Sequence, residues 1–128
     1  MAVSEKQVQA ILALPPAKRY DHFVKKVVGW RKLWGLYQDG WAMSQTEKGD
    51  PVFPLWPEPE YAALCASGVW EGYVAEEIDL TDFLNELLPK LREDGVLPGA
   101  FYVTDGGSVN VSSDQLETDL KNELAKYE

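Results

Sequence analysis

The spacing of apolar residues changes at Gly29, and this change constrains the fold more than any other feature of the sequence. Before Gly29, apolar residues recur at the i, i+3, i+4, i+7, i+8 spacing of one helix face: Tyr20, Phe23, Val24, Val27 and Val28. After Gly29, residues 33–38 and 41–45 alternate with a period of two on either side of Asp39-Gly40, a pair typical of a tight hairpin turn. A chain with both periods is expected to pack helices against a sheet.

The same patterns along the whole chain predict an α+β fold. We expect a largely antiparallel sheet of about five to six short strands, with helices at both termini, in the order ααβββαβαββα. Residues 1–128 are predicted to form a single domain, because 128 residues match one ordinary domain in length. Pro54 limits its strand to an edge or an irregular position, and Pro89 predicts a kink or an early helix end.

The two hairpins are predicted in more detail. If the turn at Asp39-Gly40 has two residues, Leu36 pairs with Met43 on the core side, and Tyr37 pairs with Ala42 on the other side. The closing hairpin is predicted over residues 100–104 and 108–111, through a turn at Asp105-Gly106-Gly107.

The chain has one cysteine and one histidine, so it can form neither an internal disulfide nor a Cys/His zinc site. Cys65 has no neighbouring cation that would favour a thiolate, and we predict a buried, inert thiol. His22 lies on the same predicted helix face as several lysines. We predict that it is an ordinary surface or helix-packing residue. We therefore predict no catalytic residue, no metal site and no cofactor.

Charge is distributed unevenly along the chain. Residues 1–37 hold seven cations and two anions, whereas residues 38–128 hold five cations and nineteen anions. The electric field of such a charge distribution can orient a charged protein partner. The overall charge of -9 disfavours binding of nucleic acid. No apolar run is long enough to span a membrane, and the N-terminus does not resemble a secretory signal, so a cytoplasmic protein without membrane contact is predicted.

Five tryptophans are more than a small core usually holds, and tryptophan is enriched at binding hot spots. We predict that at least one indole contributes to an exposed recognition surface. Trp41, beside the Asp39-Gly40 turn, is the first candidate, and Trp56, between two prolines, is the second. The predicted binding residues are Trp41, Trp56, Trp34 and Asp39.

Several tryptophan-centred blocks together resemble the bacterial domain of unknown function family 2750. The blocks are Arg19-Tyr20-Asp21-His22-Phe23, Trp34-Gly35-Leu36-Tyr37 with Asp39-Gly40-Trp41, Pro54-Leu55-Trp56-Pro57 with Ala62, Trp70-Glu71-Gly72-Tyr73, and Ile78, Leu80 and Phe83. The likeness spans roughly residues 15–120. It implies a small, single-domain, cytoplasmic bacterial protein, but no activity or site residue, because the family has no established function. The stretch from Pro54 through Phe83 is also loosely similar to immunity and effector-associated families of bacterial conflict systems.

The leading hypothesis is a non-catalytic binding domain that recognises another macromolecule. One alternative is a small metal-dependent enzyme that uses the carboxylates between Glu76 and Asp82. Another is an acidic, immunity-like protein that mimics the target of a basic partner, and its complex should be sensitive to salt. A homodimer through an uncovered strand edge is a further possibility.

Overall fold

The computed structural model describes residues 5–103 and 107–127. The helices are α1 (Glu5–Leu12), α2 (Pro16–Trp30), α3 (Pro59–Leu64), α4 (Leu80–Asp82), α5 (Leu88–Asp94) and α6 (Ser113–Ala125), with a 3-10 helix at Gly68–Trp70 and a π-helical segment at Phe83–Leu87. The strands are β1 (Lys32–Tyr37), β2 (Ser44–Gln45), β3 (Pro51–Leu55), β4 (Val74–Asp79), β5 (Leu97–Val103) and β6 (Gly107–Asn110).

The α+β class and the approximate element order predicted from the sequence are confirmed. The strands form two sheets, β1-β4 and β2-β3-β5-β6, and an antiparallel bridge between Trp34 and Trp56 connects them. Three of the strand pairings are antiparallel, whereas β3 and β5 are parallel. The chain from α3 to α5 supplies the long connection that a parallel pair requires.

The predicted first hairpin forms only at its turn, because β1 pairs with β4 and β2 pairs with β3 in the other sheet. At the turn, the register also differs by one residue from the prediction. Tyr37 pairs with Trp41 instead of Ala42, and the Ala42 amide donates a hydrogen bond to the Leu36 carbonyl at 2.8 Å. Three residues lie between Tyr37 and Trp41, and Asp39 takes the left-handed conformation, with φ of 57°. Because a shift by one residue reverses the two faces of a strand, Met43 points away from the core and is exposed.

The prediction for Pro54 is half correct, whereas the early helix end predicted at Pro89 is wrong. Pro54 lies in an interior strand and not at an edge, but β2 pairs only with Pro51 and Val52, so it ends before it would meet Pro54. The helix does not end at Pro89. It widens into the π-helical segment just before the proline, where the Leu88 amide bonds to the Phe83 carbonyl, and then continues as α5.

The β5–β6 pairing contains a bulge between Ala100 and Val103. The turn predicted at Asp105-Gly106-Gly107 falls largely on residues 104–106, which lie outside the described part of the chain. Within the bulge, Phe101 has a φ of 50°, which is strained for a residue with a side chain. Arg19 of α2 stabilises it from the interior: its Nε donates to the Phe101 carbonyl at 3.2 Å and its Nη2 to the Gly107 carbonyl at 3.4 Å. Arg19 is 5% exposed, and within the described residues its guanidinium donates to backbone carbonyls.

The strands at the edges of the two sheets are either charged or short. β4 ends the two-stranded sheet and exposes Glu76 and Glu77, while β6, at the edge of the other sheet, has four residues. Acidic side chains on an edge repel an identical copy, so the homodimer stays a prediction that nothing in the fold favours. Of the helices in residues 5–103 and 107–127, none is long and apolar enough to cross a membrane.

Candidate functional site

An acidic groove of about 430 Å³ runs between the β4 end of the two-stranded sheet and the helices that follow it. Its lining residues are Trp41, Glu77, Ile78, Asp79, Asp82, Glu86, Leu87 and Lys90. The lining combines apolar side chains with four carboxylates. It brings Trp41, the first predicted binding residue, together with the acidic segment that begins near Glu77.

Trp41 is half-buried and held in place by close packing. Its ring lies edge-on to Tyr37 at 5.2 Å between centroids and tilted against Phe53 at 5.5 Å. On another side it lies against the backbone of Gly35, where a Cβ atom would come within 2.9 Å of the indole. The absence of a side chain at position 35 therefore allows Trp41 to pack on β1 with part of its ring left to line the groove.

The carboxylates of the acidic groove differ in what they contact. Glu77 forms an ion pair with Lys32 at 3.4 Å, and the Asp79 side chain caps α4 by accepting a hydrogen bond from the Asp82 amide at 3.2 Å. Within the described residues, the carboxylates of Asp82 and Glu86 form no ion pair. Lys90, which also lines the groove, pairs with Asp94 at 3.6 Å and forms no ion pair with either of them.

The carboxylates of the acidic groove were considered above as ligands of a catalytic metal. Across residues 5–103 and 107–127, no group of three or more histidine, cysteine, aspartate or glutamate side chains is arranged to hold a metal ion. Asp79 is already used as a cap. The alternative hypothesis that carboxylates between Glu76 and Asp82 bind a catalytic metal therefore gains no geometric support.

The four predicted binding residues are dispersed. Trp41 lines the acidic groove, Trp34 lines a different one, and Asp39 lies exposed in the turn. Trp56 is completely buried, with its Nε1 donating to the Tyr102 carbonyl at 2.8 Å, so the prediction that it contributes to an exposed surface is wrong. The bridge to Trp34 places Trp56 between the two sheets, where apolar residues cover it.

A second, smaller groove, here called the tryptophan groove, has a volume of about 150 Å³. Its lining residues are Trp30, Lys32, Trp34, Pro57, Glu58, Pro59 and Glu60. Trp30 ends α2 with 51% of its surface exposed, which makes it the indole most available to a ligand. Trp34 is half-buried, and the Lys32 ammonium lies 5.8 Å from the centre of its ring.

Glu58 is the unusual member of the tryptophan groove. It is only 8% exposed, and its Oε1 is buried without a hydrogen-bond partner. Although Glu58 occupies the position before α3, its side chain accepts no hydrogen bond from that helix, whose first residue is Pro59. Burial raises the pKa of the Glu58 carboxyl, and the nearby Lys26 opposes this effect.

Glu58 also borders an interior polar cluster beneath the β5 bulge. The rings of His22 and Tyr61 both contact the Phe101 ring, with centroids at 6.0 Å and 4.9 Å. In the described chain, His22 Nε2 and the Tyr61 hydroxyl are buried without partners, as Glu58 Oε1 is. Burial lowers the pKa of His22 and raises the pKa of Tyr61 to about 12, so both groups stay neutral near pH 7.

Cys65 is expected to resist thiol reagents in the folded protein. It is 5% exposed, its Sγ donates to the Tyr102 carbonyl at 3.6 Å, and burial raises its pKa to about 11. At pH 8 roughly one thiol in a thousand is then a thiolate, the reactive form. Ellman's reagent should label no cysteine in the native protein and one per chain in guanidinium. Rapid stoichiometric labelling of the native protein would contradict the buried position of this thiol.

Residues 20–120 match the family model described as Protein of unknown function (DUF2750). The chain belongs to this family. Both grooves of this DUF2750 member lie within the matched residues. Neither a curated protein nor a solved structure was found to be similar to it.

The sequence analysis missed Glu58 and gave Trp30 no site role. A signal for Glu58 is present in the run Trp56-Pro57-Glu58-Pro59, which places a carboxylate between two residues with restricted backbone angles. For Trp30 the sequence offers no such signal, because it lies three residues after Val27 and seven after Phe23, a spacing that predicts burial. Its exposure comes from its place as the last residue of α2.

Proposed function

We propose that this chain is a non-catalytic binding domain that recognises another protein, and that the acidic groove receives a basic segment of that partner. The observation that carries the proposal is the combined lining of the groove. Trp41, Ile78 and Leu87 offer apolar surface, and Asp82 and Glu86 add negative charge without an ion pair in the described residues. A segment with apolar and basic side chains complements both parts.

The distribution of charge supports a basic partner. Nineteen of the anions follow residue 37, and the groove collects four of these carboxylates around one tryptophan. Carboxylates at the rim of an interface act mainly on the association rate and on specificity, and salt screens them. Mimicry of nucleic acid towards a basic toxin is a narrower form of the same proposal. The bacterial origin and the cytoplasmic location remain predictions.

The proposal is tested by affinity capture from the native host with three forms of the protein, followed by mass spectrometry. The forms are the wild type, a groove double variant with Asp82→Asn and Glu86→Gln, and a control double variant with Glu47→Gln and Glu71→Gln. Both double variants remove the same charge, but the control residues are exposed and lie outside the groove. A partner that uses the groove should bind the groove variant about tenfold more weakly and the control variant like the wild type.

Salt provides the second readout. The complex should weaken strongly between about 0.05 M and about 0.5 M salt, because exposed charge pairs are screened over this range. Retention of the same partner by the groove variant, or equal binding at both salt concentrations, would contradict the proposal. Recovery of nucleic acid instead of a protein would contradict it as well.

A further inference from the structure

The tryptophan groove has features of a binding site that the proposed function does not use. It is separate from the acidic groove, since the two share no lining residue. Three observations set it apart: a half-exposed indole at Trp30, a second indole at Trp34, and the buried carboxylate of Glu58, whose Oε1 has no partner in the described part of the protein.

We propose that the tryptophan groove binds an alkylammonium group, with Trp30 and Trp34 contacting the cation and Glu58 acting as its counter-ion. Indole is the aromatic side chain that attracts cations most strongly. A buried carboxylate without a partner is costly for the fold, and a bound cation would reduce this cost. The proposal is independent of what occupies the acidic groove.

Within the groove, one cation of the chain already lies against an indole ring. The Lys32 ammonium lies 5.8 Å from the centre of the Trp34 ring. Lys32 is held there from outside the groove by Glu77, at 3.4 Å, so its charge is balanced by another strand and not by Glu58. Lys26 is close enough to Glu58 to oppose the rise of its pKa and lies beside Trp30, but it forms no ion pair with Glu58 within the described residues. The side of the groove formed by Trp30 and Glu58 therefore remains for a ligand.

Size favours a small cationic group over a large molecule. The groove volume of about 150 Å³ is comparable to that of cavities which hold a benzene molecule, and a trimethylammonium group is of similar size. Glu60 adds a second carboxylate to the lining, whereas Pro57 and Pro59 restrict the backbone around Glu58. A restricted backbone keeps the carboxylate in place before the ligand arrives, which lowers the entropic cost of binding.

The same chemistry occurs in two sources, a free choline-like molecule and a methylated lysine side chain of a protein. Choline and an N-acetyl-trimethyllysine amide are therefore titrated separately by calorimetry and by ligand-observed NMR. The matched neutral probe is 3,3-dimethyl-1-butanol, which has the shape of choline without its charge. We expect millimolar binding of at least one cation and at least about tenfold weaker binding of the neutral probe.

The variants separate the two parts of the site. Trp30→Ala and Glu58→Gln should each weaken cation binding about tenfold. Val69→Ala, at an apolar position that is 88% exposed, is the control for Trp30→Ala, and Glu71→Gln, at an exposed position that lines neither groove, is the control for the charge that Glu58→Gln removes. If Glu58→Gln impairs folding, Trp30→Ala still tests the site, because Trp30 is half exposed at the end of its helix.

Four outcomes would overturn the proposal: no binding of either cation up to about 50 mM, equal binding of the neutral probe, equal losses in Glu71→Gln and Glu58→Gln, or unchanged affinity in Trp30→Ala. None of these results depends on the acidic groove, so the proposed function and this inference can fail separately.

Discussion

Replacing Trp56 by alanine is expected to lower the free energy of unfolding by about 3 to 5 kcal/mol. Trp56 is completely buried, with its ring edge-on to Trp70 and Tyr102 at 6.3 Å from each. The substitution removes the largest side chain at the junction of the two sheets and leaves a cavity. Since a domain of this size is stabilised by about 5 to 15 kcal/mol in total, the variant should unfold at a much lower concentration of urea.

Trp56→Phe is the matched variant for this prediction. It keeps most of the apolar volume but removes the indole N–H that donates to the Tyr102 carbonyl at 2.8 Å. We expect a loss of about 1 to 2 kcal/mol, from the hydrogen bond and the smaller ring. Circular dichroism measures both variants without relying on tryptophan fluorescence. A loss below about 1 kcal/mol for Trp56→Ala would contradict its position in the core.

Replacing Gly99 by alanine is expected to cost about 1 to 3 kcal/mol, although it adds a single methyl group. Gly99 lies in β5 between its neighbours β3 and β6, and a Cβ atom there would lie 2.5 Å from Val52 Cγ1 and 2.6 Å from Ser108 Oγ. Val52 is buried and cannot move without disturbing the core. The strands must therefore separate locally, which weakens the parallel pairing of β3 with β5.

Gly29→Ala is the control for this substitution. Gly29 lies in α2, and a Cβ atom at this position meets no other atom within 4 Å. Because glycine is unfavourable in a helix, the control should raise stability by about 0.5 to 1 kcal/mol. Urea denaturation of the two variants provides the comparison, and a Gly99→Ala protein as stable as Gly29→Ala would show that β5 is packed less closely than described.

Hydrophobic spacing and capping residues predicted the local structure well. The apolar pattern of α2 identified its buried face, since Phe23, Val24, Val27 and Val28 are all buried. Asp79 and Ser112 belong to the residue types favoured at helix N-termini, and both cap helices by accepting hydrogen bonds from the amides of Asp82 and Gln115. These features depend on residues three or four positions apart, so they can be recognised from a short stretch of sequence.

The candidate site was predicted only in part. The sequence indicated Trp41 as a surface residue and the segment from Glu76 to Asp82 as acidic, and the acidic groove contains residues from both. It did not indicate that they meet, because their contact depends on the pairing of β1 with β4. In that pairing Lys32 lies opposite Asp79, forty-seven positions later in the chain.

The sequence by itself determined the α+β class, the approximate order of elements and the absence of a disulfide, because these follow from local spacing and composition. Only the tertiary structure decided that Trp56 is buried while Trp30 is exposed, that β3 pairs with β5 in parallel, and that Glu58 Oε1 lies without a partner. The physical reason is that burial and hydrogen bonding of a side chain depend on residues distant in sequence, and local periodicity carries no information about which distant segments pack against it.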